Sequence, residues 1–93
     1  MRPAHQLTAD EQENVRFALR YLYGRLGTWV AVARVTHLKR RTVRRVRDGW
    51  KVRQYVAVNV GMALGVSAEA VMTARAVPEG TCRHCGAIAE KTR

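Results

Sequence analysis

Residues 34–53 carry nine basic side chains and one acidic one: Arg34, Lys39, Arg40, Arg41, Arg44, Arg45, Arg47, Lys51 and Arg53 against Asp48. This segment holds +8 of the formal net charge of +10, and the stretches on either side hold +1 each. Guanidinium groups at that density suit one task, the gripping of anionic oxygens and base edges through planar forks of N–H donors. A pI near 11.1 points the same way, to a polyanionic partner. Arg outnumbers Lys 14 to 3, beside 13 Ala and 13 Val, as GC-rich codon usage would produce. Codon usage would also scatter arginine along the chain, so the clustering speaks for a binding surface.

A second chemical signal is Thr81-Cys82-Arg83-His84-Cys85-Gly86. Its Cys-x-x-Cys-Gly turn resembles half of a zinc ribbon, in which Cys82 and Cys85 would be metal ligands. Structural zinc takes four ligands, and this chain has no second pair. His84 is poorly aimed from inside the knuckle, and His5 and His37 are distant in sequence. Three readings stay open: a vestigial or disordered tail, zinc shared between two chains, or a redox-sensitive thiol pair. Arg83 and His84 beside the thiols favour thiolate, which suits the last two. Zinc at this pair is the one cofactor the sequence suggests. Enzymatic chemistry is not expected: Ser67 is the only serine, the three histidines are scattered, and the carboxylates sit at helix starts. A small-molecule substrate is not expected either.

The elements that must position these groups fit one small domain, since 93 residues allow only a modest core. A content of 47% hydrophobic and 26% charged residues is ordinary globular composition. No apolar run reaches the roughly 18 residues that span a bilayer. The N-terminal stretch lacks the apolar centre of a secretory signal, which points to a cytoplasmic protein without a membrane partner. Both cysteines lie in the last 12 residues, which excludes a disulfide scaffold.

Apolar spacing is helical throughout. Thr8-Ala9-Asp10-Glu11 is a capping box, and Val15, Ala18, Leu19, Leu22 and Leu26 form the stripe of a first helix over about 9–25. Thr28 caps a second helix whose inner face is Trp29, Val32, Ala33 and Val35. A third runs from near Arg40 to Asp48-Gly49. Val56, Val60, Ala63 and Leu64 mark a fourth, and Ser67 caps a fifth with Val71 and Met72 inward. The expected fold is all-α, a compact bundle of about five short helices over residues 1–78, followed by a tail over 79–93.

The segment from Thr28 to Gly49, TWVAVARVTHLKRRTVRRVRDG, resembles the helix-turn-helix of lambda-repressor-like (Cro/C1-type) DNA-binding domains. Ala33 supplies the small residue at the crossing, and Val32, Val35, Leu38, Val43 and Val46 supply its apolar contacts. NVGMALGVSAEAVM resembles the fourth and fifth helices of that family, so the likeness covers about residues 8–76. Three positions depart from it: Trp29 stands where Gln is common, His37 where the turn has Gly, and Lys39 where Ser caps. The resemblance implies double-stranded DNA as partner and base reading in the major groove by Arg40, Arg41, Arg44 and Arg45. At about 100° per residue, Val43 and Val46 fall on one edge of the third helix, with these arginines on the other side. About two of the four are expected to read bases. Thr28, Lys39, Thr42, Arg47, Lys51 and Arg53 are expected at phosphates.

Phe17, Tyr21 and Trp29 read as packing. Trp50 either covers the core beneath the fourth helix, which we favour, or lies against the DNA backbone. The leading expectation is therefore a small bacterial or phage transcriptional regulator that binds specific DNA sequences, as a homodimer if its target is a palindrome. The alternative is a protein-interaction adaptor that keeps the helix-turn-helix fold. Such an adaptor would bind an acidic partner or share zinc through its CxxC tail.

Overall fold

The first helix, α1 (Ala9–Leu26), starts at a reciprocal cap. Glu11 N–H donates to Thr8 Oγ1 at 3.1 Å, and Thr8 N–H donates to Glu11 Oε1 at 2.9 Å. Two donors that a helix start would leave bare are thus satisfied. The computed structural model describes residues 7–78, 80 and 81. Among them α1 is followed by α2 (Trp29–Thr36), α3 (Arg40–Arg47), α4 (Gln54–Leu64) and α5 (Ala68–Met72). The fold is an all-α bundle, as the periodicity predicts.

α1 runs through the bundle and touches each of the other four helices, burying Val15, Phe17, Ala18, Leu19, Tyr21 and Leu22. Leu26, expected on this stripe, is exposed. It is the last residue before Gly27 turns the chain away, so nothing packs over it. α4 and α5 form a close pair on α1 through Val56, Val60 and Val71, with Val77 closing the core beyond them. No helix of the described residues is long and apolar enough to cross a membrane.

The inner face of α2 is rotated from the one the sequence predicts. Val32 and Ala33 are buried, but the third buried position is Thr36 and not Val35, which is 38% exposed. Thr36 can occupy a core position because its hydroxyl donates to Val32 O at 2.7 Å, within its own helix. A polar group with its bond made costs little to bury.

α2, α3 and α4 end in the same way. In each, a residue with positive φ follows the helix, and the next amide reaches back to a carbonyl five residues earlier. Leu38 N–H donates to Ala33 O, Trp50 N–H to Arg45 O, and Val66 N–H to Gly61 O. This is the Schellman stop, and it seats the side chain after the turn against the last turn of the helix. In α2 the left-handed position is His37, at φ 57°, a conformation that a side chain adopts only at some cost.

Candidate nucleic-acid interface

α3 packs only against α1 and α2 among the five helices, through Val43 and Val46. Burying each of these side chains stabilises by about 1.5–3 kcal/mol. The rest of the helix faces outward, and there Arg40, Arg41, Arg44, Arg45 and Arg47 are all exposed. Its eight residues extend about 12 Å at 1.5 Å per residue. No acidic residue lies in its first turn, and Lys39 makes no side-chain cap. Among the described residues, Arg40, Arg41, Arg44, Arg45, Lys51 and Arg53 have no carboxylate within ion-pair distance. Their charge is therefore uncompensated within this part of the chain.

Two depressions flank α3. The first, about 380 Å³, is lined by Trp29 and Val30 of α2 together with Arg40, Arg41, Arg44 and Arg47. The second, about 260 Å³, brings Thr42 and Arg45 together with Trp50, Lys51, Arg53 and Tyr55. Most of the residues selected from sequence thus gather on one surface, divided between the two sides of the helix. Lys39 is exposed at the start of α3 and lines neither depression. Thr28 stands at the start of α2, where its Oγ1 accepts the Ala31 amide at 3.1 Å.

Arg47 differs from its neighbours. Its Nε donates to Asp48 Oδ1 at 3.1 Å, and its guanidinium lies 5.3 Å from the Trp29 ring centre. Trp29 in turn stacks on Tyr23 at 4.5 Å with ring planes 13° apart. The expected packing role of Trp29 is therefore made from α1, and one face of the indole remains over the arginine surface. Trp50 does not cover the core: it is 59% exposed, and the Arg45 guanidinium lies 4.9 Å from its ring centre. Val52, two residues on, enters the core instead.

Sequence reasoning missed the side chains of α1 that hold this surface in place. Arg16 Nε donates to Val46 O and its Nη2 to Trp50 O, both at 2.8 Å. A partly buried cationic group thus closes the carbonyl end of α3, where the helix dipole is negative. One turn earlier, Gln12 Oε1 accepts the Val52 amide at 2.9 Å. Glu13 pairs with Arg20 at 2.6 Å and with Arg16 at 3.6 Å. Burial alone would raise its carboxyl, but the hydrogen bonds and charges of Arg20 and Arg16 outweigh this and hold it below the usual carboxylate range.

Among the described residues no group of His, Cys, Asp and Glu could hold a metal ion. Cys82 and Cys85 lie outside the described residues. Comparison of the chain with protein-family models, curated proteins and solved structures finds no match.

Proposed function

We propose that this chain binds specific sequences of double-stranded DNA, as a small transcriptional regulator that lays α3 in the major groove. One observation carries the reading. α3 is held to the body by a buried valine edge and presents five exposed arginines on its free side, four of them with no carboxylate partner. A helix about 10–12 Å across fits a major groove of about 12 Å, and the arginine fork matches O6 and N7 of guanine. Arg40, Arg41, Arg44 and Arg45 face the bases in this arrangement, and about two of them read base edges. Lys39, Thr42, Lys51 and Arg53 at the margins, with the start of α2 at Thr28, meet phosphates. Arg47, paired with Asp48, serves the phosphate backbone less strongly than the others. The resemblance to lambda-repressor-like domains supports this docking, and a palindromic target would be read by two copies.

The test is selection of bound duplexes from a random pool, followed by titration at several salt concentrations. Enrichment of one motif is expected. Neutralising about six phosphates gives a slope of log K on log[salt] near −5. Recovery of all duplexes alike would leave only nonspecific binding. A slope near zero would overturn the nucleic-acid reading and turn attention to an acidic protein partner.

A further inference from the structure

α3 ends in a Schellman stop with Gly49 in the left-handed region, at φ 103°. Gly49 N–H donates to Val46 O at 3.1 Å, and Trp50 N–H donates to Arg45 O at 2.9 Å. In this motif the side chain of the residue after the glycine returns to the residue whose carbonyl its amide has bonded. Here the returning side chain is an indole and its target is an arginine. Arg45 and Trp50 are consequently joined twice, through the backbone and through the guanidinium over the ring at 4.9 Å. The carbonyl of Trp50 is held separately by Arg16 Nη2 at 2.8 Å, so the indole stands on a backbone fixed at both ends.

Among the described residues, Arg40, Arg41 and Arg44 lie over no aromatic ring. Arg47 does lie over one, but its Nε is already given to Asp48. Arg45 alone on α3 is both uncompensated in charge and seated on a fixed indole. A guanidinium ordered in this way has less freedom left to lose when its fork meets a base.

We propose that Trp50 is a positioning residue for Arg45, and that this makes Arg45 the arginine of α3 that fixes specificity at one base pair. The assignment rests on the DNA-binding reading above. It adds to that reading the identity of one base reader among four chemically alike side chains, and the means by which it is held. The ring itself need not touch DNA. Its contribution is the orientation of its partner, so its loss should be felt only where Arg45 acts.

The experiment is a double-mutant cycle on the full chain, using Trp50→Ala, Arg45→Ala and the pair. Each variant is titrated against the selected duplex and against every single-base change of it. Trp50→Ala is expected to weaken the selected duplex about 2- to 5-fold, the range of an exposed cation–π contact. It should flatten discrimination at the same base pair that Arg45→Ala flattens, and at no other. In the Arg45→Ala background it should have no further effect. Trp50→Phe, which keeps a ring, should restore part of the discrimination, and the salt slope should stay unchanged.

Equal weakening on every duplex, or effects of the two substitutions that simply multiply, would overturn the assignment. A second measurement needs no DNA: ring-current displacement of the Arg45 side-chain protons in the free protein, reduced in Trp50→Phe and abolished in Trp50→Ala. Absence of that displacement in the wild-type chain overturns the positioning role whatever the DNA does. A wild-type chain that selects no duplex overturns the DNA reading and this assignment with it. A selected motif with a flat cycle overturns only the role of Trp50.

Discussion

Replacing Arg16 by Met keeps most of the apolar stem and removes the head group that joins α1 to the end of α3. Three contacts go with it: Nε to Val46 O and Nη2 to Trp50 O, each 2.8 Å, and the 3.6 Å ion pair to Glu13. A hydrogen bond from a charged donor contributes about 1.5–3 kcal/mol in the interior. Both carbonyls here fall short of that. Val46 O also accepts the Gly49 amide, and Trp50 is exposed enough for water to take the vacated place. The ion pair adds about 0–1 kcal/mol, because Glu13 is half exposed and keeps Arg20. The net loss is therefore about 2–3 kcal/mol. In a domain of this size that lowers Tm by about 8–24 °C. Thermal melts followed by circular dichroism, with urea midpoints as a second estimate, measure it. Arg16→Lys, which can reach one carbonyl but not both, should fall between. An Arg16→Met protein within about 0.5 kcal/mol of wild type would refute the argument, because α3 would then be held by Val43 and Val46 alone.

Gly61→Ala tests the α4–α5 turn: a Cβ at this position would lie 2.8 Å from Val66 O, a backbone atom that cannot swing aside. A loss of about 1–3 kcal/mol is expected by urea denaturation, and an unchanged midpoint would show that the turn can open freely. His37→Gly should act in the other direction. The residue is exposed and left-handed, so relief of backbone strain should raise stability by about 0.5–1 kcal/mol, read as a higher Tm. On the DNA side, Arg41→Ala or Arg45→Ala should cost about 1–3 kcal/mol on the selected duplex and relax the choice of base there. Lys51→Ala or Arg53→Ala should weaken all duplexes alike and make the salt slope shallower by about one unit, as titrations against single-base variants would register.

What was legible in the sequence is what depends on neighbours within about a turn of helix. The cap at Thr8, the cap at Thr28, the stop at Asp48-Gly49 and the opposition of valine and arginine on α3 all involve residues three to five apart. Local spacing determines such contacts before any tertiary contact forms. The ties that hold the arginine surface are of another kind. Arg16 bonds a carbonyl 30 residues on, Gln12 an amide 40 residues on, and Asn14 Nδ2 the Met72 carbonyl 58 residues on. Each is a polar side chain of α1 that lies outside the helix's apolar stripe. Its partner is a backbone group, and backbone groups leave no mark in an amino-acid string.

Val35 and Thr36 show a further limit. Apolar residue type favours Val35 for the core, whereas a hydroxyl bonded to its own helix makes Thr36 as acceptable there, and the packing of α2 on α1, α3 and α4 decides between them. Trp50 belongs to neither group. Its place beside Arg45 follows from local rules, since a glycine stop returns the next side chain to the last turn of the helix it ends. An aromatic residue directly after an Asp-Gly stop should therefore be read first against the helix it leaves, and only then against the helix it precedes.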